Sequence, residues 1–403
     1  MQKILLFIAS LFISTPYSQK NEIKSWQGIH ETPLSRLEQQ FADPPVEFAN
    51  HVIWGWEGKM DKKTICNDLD SIKKKGFRAV IFEAGYKLPF KYLSEEWFKA
   101  IRTGVLEAKK RGMKVWIIDE GKYPSGFAGG KFSQERPDLR MQALVIGDTI
   151  QVKRGEVMTN HKIAPEIISA VAVSTSGAPN RTVAINNGEI SFNAGLDDWK
   201  ILLVKSDFRT AVTRAVNNPN GGKDATNSLC DYLNPVAVQQ FIDWTHEQYK
   251  KYLGKELGTT VLGFRGDEPD YAHLPWTPSI VQTFKDTKGY DPTPYLASFF
   301  TTSPTIQEQR VKADYWDVWS SLFATHFFKL QADWCAANGV AHITHLNKEH
   351  EMPACVKAEG DYFRNLSKVQ IPGVDAIWNQ IWPGTLNDFP KTGLICSSCL
   401  WKT

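Results

Sequence analysis

Cysteine, charge of one sign and long apolar runs are all scarce in this sequence, and each scarcity excludes something. Six cysteines in 403 residues (66, 230, 335, 355, 396 and 399) match no zinc-ligand spacing. Cys396 and Cys399 make a lone Cys-x-x-Cys with no second pair, so isolated structural thiols are expected rather than a metal or redox centre. The net charge is only +3, with Lys and Arg scattered, which argues against a nucleic-acid or membrane surface. The run Ile4–Ile13 falls well short of the ~20 apolar residues that cross a bilayer, so no membrane span is expected. Residues 126–130 lack the Lys-Ser/Thr of a phosphate loop and the spacing of a dinucleotide turn. His342, His345 and His350 with Glu349 miss the HExxH spacing, and two strand residues three apart point to opposite faces, so metal ligands stay unassigned.

Aromatic residues are what the chain has in excess. Its 14 Trp, 12 Tyr and 22 Phe exceed what a core needs, and flat aromatic faces stack well on sugar rings, although most are still expected inside. Residues 1–18 carry one basic residue, an apolar centre and a polar end. That is the pattern of a secretory signal peptide, so export to the periplasm or the extracellular space is expected.

The chain is organised around residues 259–271, a short apolar run that ends at Gly266-Asp-Glu-Pro269 and reads as a buried strand with carboxylates at its tip. Residues 235–257 upstream have helical spacing (Val238, Phe241, Ile242, Trp244, Tyr249, Leu253) and close at Gly258. Strand and helix alternate on both sides of this pair. Strands are expected at 48–56, 78–83 and 114–120, with helices from Asp61 to Gly76 and over 95–111. Further on come a helix over 311–338, a fifth strand at 340–346, a helix over 361–367 and a sixth strand at 374–378. The pattern is an α/β fold of (β/α)8 TIM-barrel type, incomplete at about six βα units. Residues 141–207 alternate in short runs around the turn Asn187-Gly188, a small antiparallel β insertion after strand three. The expected organisation is signal peptide 1–18, barrel 19–140, insertion 141–207, barrel continued 208–390 and an aberrant tail 391–403.

In a parallel barrel the strand C-termini share one face, so Asp119 and Glu120, Asp267 and Glu268, and residues 345–351 become neighbours. Paired carboxylates there suit glycosidic cleavage: one protonates the leaving oxygen while the other activates water or attacks the sugar. Trp54, Trp56, Tyr86, Tyr123, Tyr271, Trp378 and Trp382 fall at or just after strand ends, where a sugar could stack.

Residues 54–56 (Trp-Gly-Trp), 119–130, 263–269 (Gly-Phe-Arg-Gly-Asp-Glu-Pro), 288–292 and 371–375 (Ile-Pro-Gly-Val-Asp) together resemble the catalytic region of secreted bacterial glycoside hydrolases similar to family 106 α-L-rhamnosidases. The resemblance implies a (β/α)8 barrel, an inverting carboxylate pair, a calcium ion (Ca2+) near the sugar, and a plant or microbial oligosaccharide or polysaccharide as substrate. It makes Glu268 the general acid and Glu349 the second carboxylate, with Glu351 and Glu359 close by as alternatives for the base. Trp54, Trp56, Asp119, Glu120, Tyr123, Asp267, His345, Glu359 and Trp378 are the expected substrate contacts. Residues 391–403 depart from the pattern, and a frameshift or early stop near residue 391 is expected. The rival reading is a catalytically inactive fragment or a non-catalytic carbohydrate-binding module.

Overall fold

The computed structural model describes residues 34–43, 45–46, 49–214, 223–271, 273–349 and 351–375. The signal-peptide expectation at 1–18, His350, Trp378, Trp382, Cys396, Cys399 and the tail at 391–403 lie outside the described residues. Six strands, β1 (His51–Trp56), β2 (Ala79–Ala84), β3 (Lys114–Ile118), β4 (Val261–Arg265), β5 (Ala341–Thr344) and β6 (Ile371–Pro372), form one sheet in sequential order, each neighbouring pair parallel. The period of two sorts their side chains. Val80, Phe82, Val115, Ile117 and Phe264 pack with Trp56 and Trp97 on the helix side. Ile81, Trp116, Ile118, Leu262 and Ala341 pack together on the opposite side, with Ile343 and Ile371 beside them.

Local chemistry accounts for the first helices. α1 (Lys62–Lys74) begins where Asp61 accepts the Thr64 N–H at 2.9 Å. α2 (Glu95–Lys110) begins where Ser94 accepts the Trp97 N–H, with Glu95 and Glu96 in its first turn and Lys109 and Lys110 in its last, matching the helix dipole. Gly104 lets α2 lie close on the sheet, since a Cβ there would come 2.9 Å from the Phe82 ring and 3.0 Å from Trp56.

Two expected helices are interrupted. Residues 235–257 form α3 (Pro235–Trp244) and α4 (His246–Leu253), broken at Thr245, whose hydroxyl donates back to the Phe241 carbonyl at 2.7 Å. The helix expected over 311–338 starts earlier, at a Thr305–Glu308 capping box, as α5 (Ile306–Phe323). It passes through a π turn at Ala324–Lys329 into α6 (Leu330–Ala337). The sixth strand also differs from the expectation at 374–378: Ile371–Pro372 pairs with β5, and Val374 and Asp375 lie past it. Pro372 has no N–H to extend a ladder, which fits so short a pairing.

Between β3 and β4, the strands Gln142–Val152, Trp199–Phe208, Ile167–Ser174 and Arg181–Thr182 pair antiparallel. Pro275–Trp276, which follows β4 in the chain, joins the same sheet against Gln142 and Ala143. The Tyr271 hydroxyl lies 3.0 Å from the Gln142 carbonyl and 3.1 Å from that of Trp276, fastening this sheet to the loop after β4. Among the described residues no helix is long and apolar enough to cross a membrane, and Cys66, Cys230, Cys335 and Cys355 are free thiols.

Candidate active site

Charged groups gather just past the ends of β2, β3, β4 and β5. Arg265 closes β4, with its guanidinium 3.8 Å from Asp267 and 3.5 Å from His345 Nδ1. His345 Nε2 stands 3.6 Å from a carboxylate oxygen of Asp267 and 3.6 Å from one of Glu268. Glu268 has φ +40°, a left-handed conformation that a non-glycine residue keeps only when its surroundings hold it there. Glu83 at the end of β2 pairs with Lys122 at 3.1 Å. Burial raises the Glu83 pKa, and the Lys122 charge opposes that rise.

A hydrogen-bonded group built around Asp270 adjoins this cluster. Asn347 donates its side-chain amide to the Tyr123 hydroxyl at 3.1 Å and to Asp270 at 3.3 Å, and Tyr123 donates to Asp270 at 3.4 Å. Burial, then the charges of Asp270 and Glu268, raise the Tyr123 phenol, so it acts here as a donor. The Asn347 backbone N–H donates to Glu359 at 2.6 Å. Glu359 is fully buried, and burial first, with Asp270 and Glu268 adding to it, pushes its carboxyl well above the usual range and favours the protonated form.

Three carboxylates of the expected site, all buried, hold loops in place: Asp119 through a hydroxyl, Glu120 and Glu349 through backbone N–H groups. Asp119 accepts the Ser125 hydroxyl at 2.7 Å, and the same Ser125 oxygen accepts the Asp267 N–H at 2.7 Å, which fixes the loop after β4 on the loop after β3. Glu120 accepts the N–H groups of Gly121 (2.6 Å), Gly129 (3.0 Å) and Ala128. Glu349, 2% exposed, accepts N–H groups from Leu346 and Asp375, each at 3.0 Å, and so ties the β5 loop to the segment after β6.

Burial pushes Asp119 up to about 7 and Glu120 up to about 8 against their hydrogen bonds. A carboxyl whose folded pKa is raised contributes stability that is present below its unfolded value and lost as pH rises through the folded one. Stability should therefore decline from about pH 4 to about pH 8. Asp119→Asn keeps an acceptor for Ser125 and removes the charge. It is expected to flatten that decline and add on the order of 2 kcal/mol at about pH 8. Thermal unfolding across the pH range checks this, and an unchanged slope would assign the titration elsewhere.

The aromatic expectations fare differently. Trp54 is partly buried and Trp56 wholly so. Trp56 is fully buried with its ring 5.7 Å from that of Trp97, and Trp54 packs edge-on to Phe82 at 5.5 Å. Two residues apart on a strand, both take the helix-facing side, and burial against α2 claims that side. Tyr271 is fully buried as well, whereas Tyr123 stays at the cluster and the Tyr86 ring lies under the Lys122 ammonium at 4.7 Å. Sequence reasoning marked the segments 119–130, 263–269, 345–351 and 371–375 without singling out Lys122, Arg265, Asn347 or Asp375 within them, and it missed Asp270.

Among the described residues, Glu268, His345 and Asp375 each bring one ligand atom within 4.8 Å of the others. Calcium takes about six to eight oxygen ligands. This set offers one imidazole and two carboxylates, with the Arg265 cation beside the imidazole. The calcium ion implied by the resemblance does not fit these residues, and no chemical step is assigned to it.

Residues 157–388, more than half of the chain, match the family model described as α-L-rhamnosidase, glycoside hydrolase family 106. The chain belongs to this family. A protein of Formosa agariphila whose β-glucuronidase name is provisional is 23% identical over 360 residues, covering 76% of the family 106 chain and 30% of the relative. The rhamnosidase of Novosphingobium sp. PP1Y has the same fold, with a TM-score of 0.60 at 14% identity over 83% of this chain and 49% of that one. The family 106 chain thus spans less than half the length of either relative.

Proposed function

We propose that this chain carries the catalytic face of an exported glycoside hydrolase of the α-L-rhamnosidase kind. Its parallel strands belong to a (β/α)8-type barrel with a β-rich insertion after the third. The sequential order of six parallel strands supports the barrel, and the composition of residues 1–18 supports export to the periplasm or beyond. The observation that carries the reading is Glu268, half-buried at the tip of β4 and 3.6 Å from His345, with Arg265 and Asp267 alongside. A carboxylic acid there is placed to protonate a departing glycosidic oxygen, while a second carboxylate activates water in an inverting reaction on an oligosaccharide or polysaccharide.

Inverting enzymes hold their two carboxyl groups about 6.5–9.5 Å apart to seat that water. Asp375, with a ligand atom within 4.8 Å of that of Glu268, is too near for the second role. Glu359 is fully buried and accepts the Asn347 N–H, a place that suits holding the loop. Glu349, bound by two backbone amides, serves as a positioning residue.

The purified chain should be assayed on a panel of aryl glycosides that includes an α-L-rhamnoside and a β-D-glucuronide. Release of the aglycone from a member of the panel is the expected result. Sugar binding without turnover of any of them would favour the non-catalytic carbohydrate-binding reading.

A further inference from the structure

We propose that the cleft lined by Asp270, at the edge of the candidate site, binds a negatively charged sugar unit, a uronic acid or a sulfated sugar. This rests on the carbohydrate reading above and narrows it. The cleft has a volume of ≈ 460 Å³, and its lining includes Asp270, His273, Leu274, Trp316, Lys348 and Lys357. It adjoins the candidate site directly. Asp270 is the carboxylate that accepts from Asn347 and Tyr123, and Lys348 follows Asn347 in the chain.

Size, an aromatic face and charge converge on one kind of ligand. The volume suits about one or two sugar rings, in the lower part of the range of small-molecule pockets. Half-buried Trp316 and Leu274 supply an apolar wall of the kind that sugar rings cover. His273 is fixed by donating Nε2–H to the Thr210 carbonyl at 2.9 Å. Neither Lys348 nor Lys357 has a carboxylate partner among the described residues, and the one acid in the lining, Asp270, is already hydrogen-bonded.

The backbone also commits Lys348 to its place. Its φ is +57°, a region that glycine and asparagine favour, and the turn is closed by the Glu351 N–H on the Lys348 carbonyl at 2.9 Å. Both lysines are exposed, and a neutral sugar would offer their ammonium groups only hydroxyl oxygens. A carboxylate or sulfate would receive charge-assisted hydrogen bonds from them.

The test uses the full chain carrying Glu268→Gln, so that turnover is slow, with calorimetric titration at low salt. The probes are a methyl glucuronoside, the matching methyl glucoside and a sulfated methyl glucoside. At least one charged probe should bind at least tenfold more tightly than the neutral one. Adding Lys348→Asn, which suits the left-handed turn, and Lys357→Gln should abolish that preference and leave neutral binding unchanged, whereas Trp316→Ala should weaken all the probes that bind. Preference for the glucuronoside alone would identify a carboxylate ligand, and preference for the sulfated sugar alone a sulfate ester. Equal binding of charged and neutral probes, or a preference indifferent to the lysine changes, would overturn the proposal and leave two solvated surface lysines. No binding of any probe would also overturn it, and the aryl glycoside panel then decides separately whether the carbohydrate reading falls with it.

Discussion

Glu268→Gln is expected to lower kcat by up to about 10²–10⁴-fold on aryl glycosides with poor leaving groups, with little change in Tm or KM. The amide has nearly the shape of the acid and keeps an oxygen to face His345, 3.6 Å away. Gln tolerates the left-handed backbone at 268 no worse than Glu, so the fold has little reason to change. What the variant lacks is a proton to give. The loss should therefore grow as the leaving group becomes poorer: a nitrophenolate departs almost unaided, whereas a sugar alkoxide needs the proton in the transition state. Rates for a series of aryl leaving groups, plotted against aglycone pKa, should fall more steeply for the variant than for the parent. An equal loss across the series would make Glu268 an electrostatic or positioning residue, and no loss would remove it from the mechanism.

What the sequence made legible was what local rules decide. Asp61 and Ser94 read as helix starts because an oxygen accepting a free N–H is a local event. The sheet read as parallel because the strands alternate with helices, and Asp267, Glu268 and His345 read as neighbours because strand tips share one end of a parallel sheet. Tertiary competition decides what local rules do not. Trp54 and Trp56 carry the composition of a sugar platform, yet their shared face was the one α2 needed to cover. Glu120 and Glu349 carry the composition of catalytic carboxylates, yet the Gly-rich loop after β3 and the turn after β5 have amides that must be satisfied, and these carboxylates satisfy them, while Asp119 accepts the Ser125 hydroxyl that in turn holds the loop after β4. Asp270, Asn347 and Lys348 lie beyond the regular strands, where no periodicity tells which way a side chain points.

Gly263→Ala should have the largest effect on the scaffold. Gly263 lies in β4 just past a register irregularity, paired with Trp116 of β3 on one side and Ala341 of β5 on the other. A Cβ at this position would stand 1.9 Å from the Ala341 carbonyl oxygen and 2.6 Å from the Trp116 ring. The first of these is backbone of a neighbouring strand, which no rotamer change can move aside. Overpacking in a core commonly costs about 1–3 kcal/mol, and with backbone as the obstacle the upper end is expected, about 3 kcal/mol. Thermal unfolding should show Tm lowered by several degrees. Gly147→Ala is the control, because its closest neighbours are carbons of the flexible Lys205 side chain at 3.1 Å, and its Tm should barely move. The methyl group at 263 also pries β4 from β5, the two strands whose tips bring Glu268 against His345. Activity should therefore fall together with stability in Gly263→Ala, whereas Glu268→Gln loses activity alone. A Gly263→Ala protein with unchanged Tm and full turnover would mean that β4 and β5 are not held so close at this point. The placement of the acid beside the histidine would then have to be argued from something other than their pairing.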